Sequence, residues 1–106
     1  MKIAVSATGG SMNAQLEPRF GRCAYFVIVD SETMKFTAFS NPASELSGGA
    51  GPAASREIVQ QGAEVVITGR VGGNAETALN SAGVKIVTGY SGTVKDVIDA
   101  YLKDQK

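Results

Sequence analysis

The stretch Ala24-Tyr25-Phe26-Val27-Ile28-Val29-Asp30 decides the fold, because it is the strongest strand signal in the chain. Residues 31–34 follow as a tight turn, and residues 35–40 then alternate polar and apolar side chains, as a half-exposed strand does. The two segments therefore predict an antiparallel hairpin. Its second strand is expected to be a sheet edge on which another copy of the chain can pair, so we expect a monomer or a weak homodimer.

The segments on either side of the hairpin complete an α/β pattern. Upstream, residues 2–7 form a short apolar run that predicts a strand buried on both faces. Downstream, we predict strands at 65–68 and 84–87 and three helices between and after them. The predicted helix boundaries are Pro52 to about Gln61, then Asn74 as a cap to Gly83, then a helix capped by Thr93 with Asp96, whose apolar stripe is Val94, Val97, Ile98, Tyr101 and Leu102.

The order of these elements restricts the topology of the sheet. Helices that alternate with strands imply parallel strands joined by right-handed crossovers, and the hairpin makes strand 2 antiparallel to the others. A five-stranded mixed sheet in the order 3-2-1-4-5 satisfies both conditions. A length of 106 residues suits one domain, so we expect residues 1–106 to form a single domain.

Glycines concentrate in the loops that this topology places at the carboxyl end of the parallel strands. Those loops are residues 8–22, 41–51, 69–74 and 89–93, and they contain eleven of the thirteen glycines. The starts of all three helices are expected at the same end, which is where open α/β sheets bind ligands. Short strand-to-helix turns also use glycine for its conformational freedom, so turn geometry alone is the competing interpretation.

Two segments supply the candidate binding groups. Ser47 to Pro52 opens a helix, and its successive N–H groups predict either an anion nest or an ordinary helix entry. Residues 19–23 offer two arginines beside a glycine, which either clamp an anion together with a third arginine or remain solvated, with the phenylalanine packed over the sheet. The candidate binding residues are Arg19, Phe20, Gly21, Arg22, Gly48, Gly49, Gly51, Arg70, Gly72 and Gly73.

Cys23 is the one cysteine of the chain, and it has two interpretations. It is either a metal-ligating thiolate, with its pKa lowered by the neighbouring Arg22, or a small buried apolar residue. The chain has no histidine, and its acidic residues form no catalytic set, so we expect no enzymatic activity. A lone cysteine, a polar start to the chain and short apolar runs favour a cytoplasmic protein without a membrane segment.

The net charge of the chain limits its partners. Ten basic and ten acidic residues give a formal net charge of zero, and the chain has no basic stripe. Proteins that bind nucleic acid normally carry such a stripe, so a nucleic-acid partner is not expected.

Several short motifs, taken together, resemble the dinitrogenase iron–molybdenum cofactor biosynthesis domain. They span nearly the whole chain: Ile3-Ala4-Val5-Ser6, Pro18-Arg19-Phe20-Gly21-Arg22, Tyr25-Phe26, Asn41-Pro42, Gly49-Ala50-Gly51, Gly92-Thr93-Val94 and Tyr101-Leu102. The resemblance implies a ribonuclease-H-like, three-layer α/β/α fold. It also implies an accessory or carrier protein for a metal–sulfur cluster of molybdenum with iron or copper, as in the small orange proteins, whose cluster has no covalent link to the protein.

The sequence-based hypothesis is therefore a non-catalytic carrier of an anionic metal–sulfur cluster, with a protein partner in cofactor assembly possible. The alternative is a regulatory or interaction module that binds an anionic metabolite or a partner protein. A degenerate ribonuclease-H-like hydrolase is disfavoured, because no cluster of carboxylates is expected at the strand ends.

Overall fold

The computed structural model describes residues 1–44 and 48–105. The described residues form five strands and three helices: β1 (Lys2–Ala7), β2 (Tyr25–Asp30), β3 (Phe36–Ser40), α1 (Ala50–Gln60), β4 (Val65–Ile67), α2 (Gly73–Ser81), β5 (Lys85–Val87) and α3 (Val94–Asp104). The sheet order is β3-β2-β1-β4-β5. Strand β2 is antiparallel to both of its neighbours, and β1, β4 and β5 are parallel, which confirms the predicted topology.

The helices cover the two faces of the sheet and make a three-layer α/β/α arrangement. Helices α1 and α2 pack on one face, where Ala4, Phe26 and Val66 meet Ile58 and Leu79. Helix α3 packs on the other face, where its buried stripe meets residues that alternate with the first set along β1 and β2. The uninterrupted apolar runs of β1 and β2 are thus explained by burial on both faces.

The helix ends follow the predicted turn chemistry, but two helix starts do not. Gly62 and Gly83 have φ values of 80° and 78° just beyond α1 and α2, as expected of left-handed residues after helices. Helix α1 begins at Ala50 rather than at Pro52, because proline fits any position of the first turn, where no backbone donor is needed. Helix α2 begins at Gly73 after the cap residue Gly72, so the prediction of Asn74 as its cap is wrong.

Strand β3 is more exposed than the predicted half-exposed pattern. Of residues 36–40, only Phe39 is half-buried, and the other four are exposed. The cause is its position at the edge of the sheet, where it has a neighbouring strand on one side only.

Residues 15–20, which we call the strap, cross the carboxyl ends of the central strands. Glu17 N–H donates to the Ser6 carbonyl at 2.8 Å, and Leu16 N–H donates to the Gly92 carbonyl at 2.9 Å. The Pro18 carbonyl accepts from Gly69 and Arg70 N–H at 3.1 and 2.6 Å. The strap therefore ties the end of β1 to the residues after β4 and before α3, and it closes the middle of the sheet end.

Candidate functional site

An open depression of about 300 Å³ lies beside the strap, between the starts of α1 and α2. Three segments of the chain meet there: residues 21–22 before β2, residues 49–52 and residues 72–75. Six of the ten predicted binding residues line it, namely Gly21, Arg22, Gly49, Gly51, Gly72 and Gly73. The remaining lining residues are Ala50, Pro52, Asn74 and Ala75. Ala50 and Pro52 belong to the predicted nest segment, whereas Asn74 and Ala75 were predicted only as the start of a helix.

Both helices that border the depression begin without a side-chain cap. Helix α1 has Gly49 as its cap residue and α2 has Gly72, and neither start has a side-chain cap hydrogen bond. The first backbone hydrogen bonds run from Ala53 N–H to Gly49 and from Glu76 N–H to Gly72. The earlier N–H groups of each helix have no acceptor within the helix, so two positive helix ends face one space.

The start of α3 differs, although it lies at the same end of the sheet. Val94 and Lys95 N–H donate to the carbonyls of Ala14 and Met12 at 2.8 and 2.9 Å. Thr93 and Asp96 form a reciprocal capping box, as predicted. The loop before the strap therefore satisfies this helix start, and only two of the three helix starts are open to a ligand.

The floor of the depression is a close contact between three backbone segments. A Cβ on Gly21 would lie 2.9 Å from the Gly51 nitrogen, and a Cβ on Gly51 would lie 3.0 Å from the Ala75 Cβ. The buried Ser55 hydroxyl also donates to the Gly51 carbonyl at 2.9 Å. Backbone contact thus requires glycine at position 21, and position 51 leaves little space for a side chain, so the two helix starts pack closely against each other.

Three glycines in this region have no such packing role. A Cβ on Gly48, Gly72 or Gly73 would meet nothing within 4 Å. None of the three has a positive φ, and Gly72 is extended with φ −67°. The fold therefore has space for a Cβ at these positions, and the bare backbone of Gly72 and Gly73 leaves the first N–H groups of α2 uncovered.

Only one of the three predicted arginines lines the depression. Arg22 does so, and its guanidinium donates to the Ser44 carbonyl at 3.1 Å. Arg19 instead forms an ion pair with Glu17 at 3.2 Å, and the hydrogen bonds from Arg19 lower the pKa of the Glu17 carboxyl. Arg70 lies beside Arg19 through a backbone bridge and is exposed outside the depression.

Phe20 and Cys23 lie in the core rather than in the depression. The Phe20 ring is 1% exposed and packs 5.3 Å from the Phe26 ring, so only its backbone is near the strap. The Cys23 thiol is fully buried, and desolvation raises its pKa to about 12. The expected lowering of that pKa by Arg22 is wrong, because burial outweighs a charge that remains exposed.

The metal-binding potential of the protein side chains is low. Within residues 1–44 and 48–105, no group of three or more His, Cys, Asp or Glu residues is placed to hold a metal ion. Ser47, the first residue of the predicted nest, lies outside the described residues. In that same part of the chain, no helix has the length and apolar character needed to cross a membrane.

Asn41 positions residues 21–23, a role that was not predicted from the sequence. Its side chain is buried and donates to the carbonyls of Gly21 and Cys23 at 3.2 and 3.0 Å. Its side-chain oxygen accepts from Ala43 N–H at 3.0 Å. The sequence contained the signal, because Asn41-Pro42 is one of the motifs of the resemblance and an asparagine before proline commonly bonds nearby backbone in this way.

Comparison with known proteins agrees with this arrangement. The sequence profile described as dinitrogenase iron–molybdenum cofactor matches residues 1–104. The apo form of the orange protein from Desulfovibrio gigas superposes with a TM-score of 0.94 and 39% identity, over 98% of this chain and 88% of that one. The NMR structure of a NifB-type protein from Thermotoga gives a TM-score of 0.84 and 32% identity, over 96% and 87% of the two chains. No curated protein matches the sequence significantly.

Proposed function

Because the chain belongs to the dinitrogenase iron–molybdenum cofactor family, we propose that it carries an anionic metal–sulfur cluster of molybdenum with iron or copper, without catalysing a reaction. The cluster is its cargo and binds in the depression between α1 and α2. One observation carries the proposal: two uncapped helix starts face a single space beside glycines that the fold does not require.

The donor groups of the depression suit an anion that brings its own ligands. Backbone N–H groups and the Arg22 guanidinium donate hydrogen bonds, and sulfide or oxide atoms on the surface of a cluster accept them. A bare metal cation needs thiolate, imidazole or carboxylate ligands instead. The described residues place no such set together, so the cluster is held without a covalent link from the protein.

The depression has room for a guest larger than a single ion. Its volume of about 300 Å³ lies at the lower end of the roughly 300–1,000 Å³ typical of small-ligand sites. We propose that the cluster contacts both helix starts and Arg22, which line this one space together.

The second candidate function is a regulatory module that binds a phosphorylated metabolite. The same observation favours it, since open helix starts also bind phosphate groups. The two functions differ in the ligand that stabilises the protein, and this difference can be measured directly.

The test is anaerobic reconstitution with tetrathiomolybdate and either Cu(I) or Fe(II), followed by desalting, metal analysis and visible absorbance. We expect the wild-type protein to retain colour and metal, and to show a higher Tm with the metal–sulfur mixture than with phosphate or nucleotides. The double variant Gly72→Ala/Gly73→Ala should bind at least tenfold more weakly, because two methyl groups fill the space in front of the N–H groups.

Two controls separate binding from folding. Gly9→Ala adds a methyl group at the same end of the sheet, where its Cβ would be at 3.6 Å from Ala14, and it should bind like the wild type. Arg22→Ala should weaken binding, whereas Arg19→Ala should not, because Arg22 lines the depression and Arg19 lies outside it, paired with Glu17. A colourless, metal-free wild-type protein would contradict the proposal, as would equal binding by the double variant and Gly9→Ala.

A further inference from the structure

The outer edge of β3 has three residues whose backbone groups point away from the sheet. Lys35 C=O accepts from Asp30 N–H and Asn41 N–H donates to Ala24 C=O, both at 2.9 Å, so these two residues bond toward β2. Backbone direction alternates along an antiparallel strand, so residues 37 and 39 also face β2. The N–H and C=O groups of Phe36, Ala38 and Ser40 therefore face outward.

Residues 36–40 lack three features that commonly protect an edge strand from pairing. They contain no charge and no proline, and their register with β2 runs from Tyr25–Ser40 to Val29–Phe36 without a bulge. Large apolar side chains are also exposed on the hairpin, with Phe36 at 44%, Met34 at 41% and Tyr25 at 37%. Such an edge is a template for another strand.

We propose that a second copy of this chain pairs with β3 in antiparallel register about a two-fold axis at Ala38. In this register Ala38 pairs with Ala38 of the second copy, and Phe36 pairs with Ser40 of the second copy. The outward residues are symmetric about Ala38, so each of the three pairs exchanges two hydrogen bonds and every outward group is satisfied. The two five-stranded sheets become one continuous ten-stranded sheet.

The side chains are compatible with this register. Phe36, Ala38 and Ser40 share one face of the sheet, and Tyr25 is the neighbour of Ser40 on that face. Phe36 of the second copy would lie against Ser40, and its ring would extend toward the exposed Tyr25 ring across a small side chain. Lys35 comes opposite Asn41, so no like charges oppose each other along the paired residues.

The dimer should be weak, because pairing of two short edges buries less surface than the roughly 1,200–2,000 Å² of stable interfaces. We therefore expect a concentration-dependent equilibrium. In sedimentation experiments from micromolar to millimolar protein, the mean mass should rise toward twice that of the monomer. In amide-exchange NMR, N–H protection at residues 36, 38 and 40 should increase with concentration, whereas residues 37 and 39, already bonded to β2, should not change.

Charge variants at Ala38 test the register directly. Ala38→Lys and Ala38→Glu each place like charges opposite each other in the homodimer, so each should remain monomeric where the wild type associates. An equimolar mixture should recover association, because opposite charges then meet. Ser81→Lys and Ser81→Glu, at the exposed end of α2, are matched controls that should associate like the wild type.

Each possible result either supports the proposed dimer or contradicts it. A wild type that stays monomeric to millimolar concentration overturns the proposal, as does an Ala38→Lys variant that dimerises as the wild type does. Recovery in the mixture also proves that both variants fold. Absence of recovery, when the wild type associates, overturns the Ala38 register.

Discussion

At the residue scale, Cys23 shows that burial rather than sequence neighbours determines its chemistry. It follows Arg22 directly, yet it lies at 0% exposure in the core beneath the depression, and Asn41 holds its backbone carbonyl. Because thiolate is the reactive form, a thiol whose pKa is raised to about 12 is unreactive at neutral pH.

We predict that the folded protein does not react with a thiol reagent at pH 8 and reacts fully in denaturant.

The unfolded thiol titrates near pH 9.0 and the folded thiol near 12, so its contribution to stability is constant below pH 9. Between pH 9 and 12 only the unfolded thiol loses its proton, and stability falls by up to about 1.4 kcal/mol per pH unit. Urea denaturation from pH 8 to 11 should show a shallower decline in Cys23→Ala. Equal slopes in both proteins would refute this assignment.

The sequence identified the residue types of the site better than their individual roles. Glycines 21, 49, 51, 72 and 73 and Arg22 line the depression, because topology alone brings their loops together. Arg19 and Arg70 belong to the same loops but lie outside it. A side chain of several rotatable bonds goes to the nearest partner, here Glu17, and that choice depends on contacts that the linear sequence does not show.

At the element scale, the three helix starts divide by how their first N–H groups are satisfied. Helix α3 has a capping box and two carbonyl acceptors from the preceding loop. Helices α1 and α2 have glycine caps and no side-chain acceptor. The start of α3 therefore stabilises the fold, whereas the first N–H groups of α1 and α2 remain available to a ligand.

We predict that Thr93→Ala destabilises the protein by about 1 kcal/mol, the usual cost of losing a helix cap. Asn74→Ala should change stability by less than about 0.5 kcal/mol, because Asn74 lies within the first turn of α2 and does not cap it. Both values come from urea denaturation. A larger loss in Asn74→Ala than in Thr93→Ala would mean that the helix starts are wrongly placed.

Strand positions and helix ends could be predicted from periodicity and glycine positions, because both depend on local sequence. The α1 and α2 starts could not, because Gly-Ala-Gly-Pro and Gly-Gly-Asn each contain several acceptable first residues. The choice among them is made by packing, as where Gly51 meets Ala75 across two helices. Such contacts are distant in sequence, so a local signal does not contain them.

At the scale of the whole molecule, the strap restricts the open space at the carboxyl end of the sheet to one side. Ligands of open α/β sheets bind outside the carboxyl ends of the strands. Here the backbone of residues 15–20 occupies that position above β1 and β4, and the open space lies only on the side of α1 and α2. The sequence predicted the sheet order but not that this segment crosses the strand ends, because its hydrogen-bond partners are far away in the chain.

A buried hydroxyl pair fastens the strap to the sheet, and we predict that its two members are energetically coupled. Ser6 donates to the Glu17 carbonyl at 2.6 Å, so Thr68 must donate to Ser6 across 2.7 Å. Ser6→Ala should cost about 1–3 kcal/mol, because it leaves the Thr68 hydroxyl and the Glu17 carbonyl without this partner. Adding Thr68→Val should cost little more. In a double-mutant cycle measured by urea denaturation, additivity within about 0.5 kcal/mol would exclude the coupling.

Under the proposed function, the glycines at 72 and 73 set thermal stability against cluster binding. Each gives the unfolded chain extra freedom, at a cost of roughly 0.5–1 kcal/mol relative to alanine, while the native backbone there would accept alanine without a clash. Laboratory evolution that selects for thermal stability alone should therefore replace these two residues early. The selected variants should have a higher free energy of unfolding and should no longer bind the proposed cluster.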